Sequence, residues 1–250
     1  MPDAPAPAGI GNCKVCAYLE AGTPAICFAC ARTVIEPLPA MDERCGVCDL
    51  RLKDDGTCGN PICNWSEDRR WFGWNYAIAM REGVLERAIS RFKYEGKKGW
   101  RTIFARVLVG FLDAQPDIFE DFDLIVASPT FIGDRPYDHT REVILAADWE
   151  AEGAWPFDDG DPPAIVKSTA TPSMAGKTWQ QRRQIAEGPL RGALCVPRPA
   201  RTQGKSILVY DDVFTDGSTL DEVARCLRAD GGAQWVCGVT LTRQPWGGAR

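Results

Sequence analysis

The sequence predicts an α/β fold, a mostly parallel sheet flanked by helices, preceded by a small metal-stapled module. Three observations carry that expectation. Short apolar runs of strand length alternate with stripes of helical period from residue 83 onward. Eight of the eleven cysteines fall in four close pairs between Cys13 and Cys63. A buried-strand pattern, Ser206–Tyr210, runs directly into two aspartates, a glycine-containing turn and a helical stripe.

The chain opens on MPDAPAPAGI, read as a Pro/Ala tail over residues 1–12. It lacks the basic residue and apolar core of a secretory signal, so a cytoplasmic location is expected. No run of 18 apolar residues occurs, so no membrane span is expected. The cysteine pairs Cys13/Cys16, Cys27/Cys30, Cys45/Cys48 and Cys58/Cys63 then mark a module over residues 13–64. A tight knuckle presents two sulfurs to one ion, which suits tetrahedral zinc. Four pairs supply eight ligands, hence two structural Zn²⁺ sites of four thiolates each. Sequential pairing is favoured over interleaved pairing, although spacing alone does not settle the order. A disulfide framework fits poorly with a chain that carries no export signal, because cytosolic thiols stay reduced. So small and polar a segment buries little core, and the metal supplies its folding energy.

Residues 65–250 read as the α/β domain. Trp65, Trp71, Phe72, Trp74 and Tyr76 form an aromatic cluster suited to packing rather than base stacking, since few basic residues interleave with it. Val84, Leu85, Ala88, Ile89 and Phe92 lie on one helical stripe that stops at Tyr94-Glu95-Gly96. Ile103, Val107, Leu108 and Phe111 mark a second helix. The run Asp123–Ser128, ended by Pro129, is a buried strand. A helix over 141–149 and a Gly/Pro/Asp-rich loop over 152–163 follow. Ser206–Tyr210 is the next strand. Leu220, Val223, Ala224 and Leu227 mark the helix after it, with Gly231-Gly232 as its cap, and residues 235–241 give a last strand.

Charge narrows the function classes. The net charge of −5, and seven Lys/Arg against ten Asp/Glu in residues 1–70, argue against nucleic acid as a direct ligand. The stretch Arg81–Arg106 runs the other way, with eight Lys/Arg and three Glu; it reads as a solvated helix face or as an anion-attracting rim.

The chemistry concentrates in residues 207–219. Ligands of a parallel sheet sit beyond the carboxyl ends of its strands, where Asp211 and Asp212 are expected. Two adjacent carboxylates need cations or hydroxyls, which a ribose diol with Mg²⁺ would supply. Thr215 to Thr219 then form a turn. Gly217 permits close backbone approach, Ser218 and Thr219 offer hydroxyls, and the helix start offers free N–H groups for a phosphate.

These residues resemble a type I phosphoribosyltransferase, and more narrowly the ComF family with its GntX relatives. The resemblance spans Cys13 to about Arg243. It rests on the paired cysteines, Gly83-Val-Leu with Arg91-Phe-Lys-Tyr-Glu-Gly96, the strand ending at Pro129 with Arg135 after it, Thr171-Pro172, Arg182-Arg183 and the 13-residue motif Ile207–Thr219. It implies a type I phosphoribosyltransferase-like domain that binds 5-phosphoribosyl 1-diphosphate with Mg²⁺. By the same implication Asp211 and Asp212 bind the ribose hydroxyls, and Thr215, Asp216, Gly217, Ser218 and Thr219 form the 5-phosphate turn. Ser128, Pro129 and Thr130 form the diphosphate loop with Arg135 near it, and a hood over residues 167–191 closes Arg182 and Arg183 over the diphosphate. The family is tied to competence for DNA uptake, which implies protein partners of that system. Transfer of the phosphoribosyl group to an acceptor and a non-catalytic sensing or accessory role both remain open.

The chain departs from the family pattern at several positions. Asp216 replaces the usual Thr, Pro136–His139 replace Gly-Phe-Asn-Gln, and Met174 replaces Gln. A carboxylate about 4 Å from a phosphate repels it by roughly 4 kcal/mol at an effective dielectric of 20, so Asp216 weakens binding unless it points away. His139, the sole histidine, reads either as an acid/base or as a residue with a surface or hydrogen-bonding role.

Overall fold

The computed structural model describes residues 36–133 and 137–245. Four strands form one sheet: β1 (Asn75–Met80), β2 (Leu124–Ala127), β5 (Ser206–Phe214) and β6 (Trp235–Arg243), in the order β1-β6-β5-β2. Every neighbouring pair is parallel. The strands are near-continuous apolar runs because both faces of the sheet are covered. In β2 and β5 alternate residues serve different cores. Ile125, Leu208 and Tyr210 pack with α1 (Gly83–Tyr94), α2 (Trp100–Asp113) and α3 (His139–Ala151) on one face. Leu124, Val126, Ile207 and Val209 pack on the other, with α5 (Ser218–Arg225) and the cysteine-bearing segment.

The helical stripes are amphipathic as read, and each buries its apolar side. Leu85, Ala88, Ile89 and Phe92 of α1 and Ile103, Phe104, Val107 and Leu108 of α2 are almost wholly buried. Tyr137 joins them, its hydroxyl donating to the Phe92 carbonyl. α3 begins two residues earlier than the periodicity indicates, because the Asp138 side chain caps it by accepting from Arg141 N at 3.0 Å.

Two features differ from the sequence reading. β1 lies in and just after the aromatic stretch, where bulky rings mask a strand pattern. Those rings do pack, Trp74 against Trp235 and Tyr76, Phe72 against Phe214, and Trp65 edge-on to Trp179. β5 also runs past Tyr210 to Phe214. It is extended by its long partner β6, with Asp211 opposite Thr240 and Phe214 opposite Arg243. The two aspartates are therefore strand residues.

The segment between β3 (Val166–Lys167) and β4 (Leu194–Cys195) stands outside the four-stranded sheet, and these two strands pair antiparallel with each other to clip its ends. Within it α4 (Trp179–Ile185) starts at a capping box formed by Thr178 and Gln181. The segment is fastened to α5 by buried charges. Arg183 Nη1 lies 3.1 Å from Asp221 Oδ2, and Arg191 grips Glu222 with two bonds of 2.6 and 2.9 Å. Glu222 has 0% exposure and also receives Arg225 Nε at 3.0 Å. Glu222→Ala removes that shared anion from Arg191 and Arg225 and leaves Arg225 with Asp230 alone, at 3.3 Å. The expected result is a loss of about 3 kcal/mol in unfolding free energy, read from urea denaturation.

Candidate functional site

Two clusters carry chemistry, and they touch. The first is the group Cys45, Cys48, Cys58 and Cys63, whose sulfurs all lie within 4.8 Å of one another. In the first knuckle Asp49 N donates to Cys45 O at 2.9 Å, and Val47 N points at Cys45 Sγ at 3.4 Å. In the second, Asn60 N points at Cys58 Sγ at 3.4 Å, and a 3₁₀ turn, Pro61–Asn64, carries Ile62 inward between the last two cysteines. Sulfurs 2.3 Å from a tetrahedral Zn²⁺ stand roughly 3.8 Å apart. The Cys48–Cys58 separation is 3.8 Å, so the donor set fits such an ion. These are the third and fourth pairs of the sequence, the grouping that sequential pairing expects. Cys13, Cys16, Cys27 and Cys30 lie outside the described residues, and with them the expected second site.

The four sulfurs polarise one another. Contacts from Cys45, Cys58 and Cys63, with the charge of Arg243, hold the Cys48 thiol far below its usual range. Contacts beginning with Cys45 push Cys58 and Cys63 up. Four sulfurs this close all ionise only with a cation to share. The module is bonded to the sheet as well as packed on it. Asp49 Oδ2 accepts from Ala77 N of β1 at 2.7 Å, and Arg44 stands 3.3 Å from its other oxygen. Burial pushes the Asp49 carboxyl up to about 6, against the pull of that amide and of Arg44.

The second cluster is the carboxyl end of β5. Successive strand residues face opposite ways, so the adjacent aspartates diverge. Asp211 lines a cavity of about 60 Å³ with Thr215, Asp216, Gly217 and Thr219 of the turn and Met174 and Arg182 of the segment above it. Asp212 faces the other layer. Its Oδ2 lies 2.6 Å from Lys93 Nζ of α1 and 3.1 Å from His139 Nε2 of α3. Burial would raise Asp212, but Lys93 and His139 outweigh it and hold the carboxyl well below the usual range. Burial first, then the neighbouring Asp212 charge, push Asp211 up to about 7.

The turn itself is tight. Gly217 has φ +87°, a left-handed conformation that glycine adopts freely, and a Cβ there would stand 2.9 Å from the Phe214 ring and 3.3 Å from Ile62. Asp216 does not point away. Its Oδ1 accepts from Ser218 N, the first amide of α5, at 2.9 Å, and its Oδ2 lies 3.4 Å from Arg182 Nη1. A side-chain carboxylate thus holds an amide that the sequence reading assigned to a phosphate. The Ser218 hydroxyl is wholly buried and makes no hydrogen bond, while Thr219 Oγ1 lies 3.5 Å from Met174 Sδ.

The remaining site residues are divided between these places. Ser128, Pro129 and Thr130 follow β2 on the Asp212 side. Ser128 O accepts from Thr140 Oγ1 at 2.7 Å and Thr130 N donates to Asp138 at 3.3 Å, so this turn sits against the start of α3. Arg182 reaches the cavity. Arg183 does not; it is pinned by Asp221 and Glu187 and stacks 4.7 Å over Trp65. Arg135 lies outside the described residues. His139 is buried at 3% exposure, which excludes the surface role. Lys93 was missed as a site residue, although its spacing from Ile89 places a lysine on the buried stripe of α1, and that is the signal that identifies it.

In fold and site the chain is an α/β protein with a four-stranded parallel sheet and a four-cysteine cluster suited to a metal such as zinc. No family model matches the chain, and no curated protein matches it at a significant level.

The two aspartates make opposite predictions. A carboxyl raised in the folded state stabilises below its unfolded value, near 3.8, and that contribution is lost as pH rises through about 7. Asp211→Asn, a mimic of the protonated acid, should melt like the parent near pH 4 and above it at pH 8. A depressed carboxyl contributes above its unfolded value. Asp212→Asn strips Lys93 and His139 of their buried partner, with an expected cost of about 3–5 kcal/mol at pH 7 that shrinks on acidification. Melting curves of both variants across pH 4–8 check the pair.

Proposed function

We propose that the chain binds a phosphorylated pentose of the 5-phosphoribosyl 1-diphosphate type, with Mg²⁺, at the carboxyl end of β5. The observation that carries this reading is the placement of Asp211 on one cavity with the turn Thr215–Thr219, at the end of a central strand of a parallel sheet. On this reading Asp211 accepts from ribose hydroxyls. The amides of the turn and the hydroxyls of Thr215 and Thr219 donate to a phosphate. Lys93 adds positive charge on the side of the Ser128–Thr130 turn, where the diphosphate end of such a ligand would lie, with Mg²⁺ neutralising it when bound. The resemblance to the ComF family and to type I phosphoribosyltransferases supports the same ligand class.

Binding on this reading requires movement. A cavity of about 60 Å³ holds little more than a water or two, against roughly 300 Å³ or more for small-ligand sites. Met174 and Arg182 have to lift, and Asp216 has to release Ser218 N and turn toward Arg182 or solvent. One observation favours a second reading, a non-catalytic module of the same fold: the Asp216 carboxylate already holds the amide that a phosphate needs.

Calorimetric titration with 5-phosphoribosyl 1-diphosphate and Mg²⁺ tests the binding claim. The expected result is saturable binding that strengthens at least tenfold in Asp216→Thr, where the internal anion is gone, and disappears in Asp211→Ala. No heat at millimolar ligand in either the parent or Asp216→Thr overturns the claim. Release of diphosphate with added bases or amines then separates transfer from sensing.

A further inference from the structure

Arg243 ends the central strand β6 and has 0% exposure, the largest fully buried side chain among the described residues. Nε donates to Cys48 O at 2.7 Å, and Nη2 lies 3.5 Å from Cys48 Sγ. Nη1 turns the other way and donates to Phe214 O at 3.1 Å and to Thr215 O at 2.7 Å. Among the described residues no carboxylate lies within ion-pair distance of this guanidinium, so carbonyls and a cysteine sulfur are its partners. A buried cation without an anion is unstable by several kcal/mol. Asp49 feels this charge from beyond ion-pair distance and is already paired with Arg44, so the closer anion is the cysteine cluster. Zn²⁺ held by four thiolates carries a net charge of about −2, and Arg243 is placed against one of those sulfurs.

We propose that the metal centre of Cys45, Cys48, Cys58 and Cys63 sets the conformation of the Phe214–Thr219 turn, and that Arg243 is the positioning residue that transmits it. The loaded cluster supplies the charge that keeps the guanidinium buried. The buried guanidinium in turn fixes the two carbonyls that open the turn. A second contact runs parallel: Ile62, carried between Cys58 and Cys63, packs against Gly217, where a Cβ would stand 3.3 Å from its Cγ2. Loss of the ion frees both the guanidinium and Ile62, and the turn loosens. A cell's metal or thiol status would then reach the β5 pocket without any ligand change at the pocket itself. The link concerns only the conformation of the turn, so it stands or falls apart from the identity of the ligand.

Hydrogen–deuterium exchange of the zinc-loaded full chain tests this without a ligand. Arg243→Lys keeps the cation and loses the fork. Its zinc content should equal the parent's, amides of residues 215–219 should exchange roughly tenfold faster or more, and peptides from α1 and α2 should stay as protected as in the parent. Chelation of zinc from the parent should produce the same local rise, and should add little to it in the variant. Unchanged exchange at 215–219 in the loaded variant overturns the proposal. So does a rise shared equally by α1 and α2, or loss of zinc by the lysine variant.

Discussion

A guanidinium buried beside four cysteine sulfurs is the constraint on which the rest of this structure hangs. Arg243 reaches the metal knuckle with one edge and the end of β5 with the other. Asp49, the next residue after Cys48 in the same knuckle, holds the first strand through Ala77 N. The cysteine-bearing segment is therefore continuous with the core: Cys45, Cys48, Cys58 and Ile62 share one apolar cluster with Val209, Phe214 and Leu220. A segment of this size buries too little apolar surface to be ordered by hydrophobicity alone, so a tetrahedral ion is the natural source of its rigidity. Arg243 links that segment to the end of β5 through the Cys48, Phe214 and Thr215 carbonyls.

The divergence of Asp211 and Asp212 follows from the strand that holds them. Had the sheet ended at Tyr210, both acids would lie in a flexible turn and could converge on one ligand. Because β6 pairs with β5 as far as Phe214, strand geometry sends one acid to each face. Each then finds a different compensation. Asp212 is charged because Lys93 and His139 surround it, whereas Asp211 sits half-buried in a small cavity beside that charge and holds its proton to about pH 7. The Thr215–Thr219 turn shares a cavity with Asp211 alone, while Asp212 stays in the other layer with Lys93 and His139.

Much of this was legible in the sequence, and the gaps have physical causes. The buried strands β2, β5 and β6 and the stripes of α1 and α2 are plain because apolar periodicity reports burial directly. The four cysteines of the described cluster are plain because ligand spacing is a local constraint. β1 was hidden, since its residues follow a run of aromatics whose packing partners, Trp235 and Phe119, are distant in sequence. The length of β5 was hidden for a related reason: it is decided by β6. Lys93 and Arg243 could be read as surface cations, and only tertiary contact shows them as buried counter-charges. That Asp216 would repel a phosphate is an expectation drawn from its position. Its capture of Ser218 N and its approach to Arg182 depend on the folded turn.

Zinc K-edge absorption on the full chain with Cys13, Cys16, Cys27 and Cys30 replaced by serine isolates the cluster that holds Arg243. The account predicts one equivalent of zinc bound by four sulfurs at about 2.3 Å. Zinc bound through nitrogen or oxygen ligands, or a chain that folds with the four thiols free and no ion retained, would contradict it.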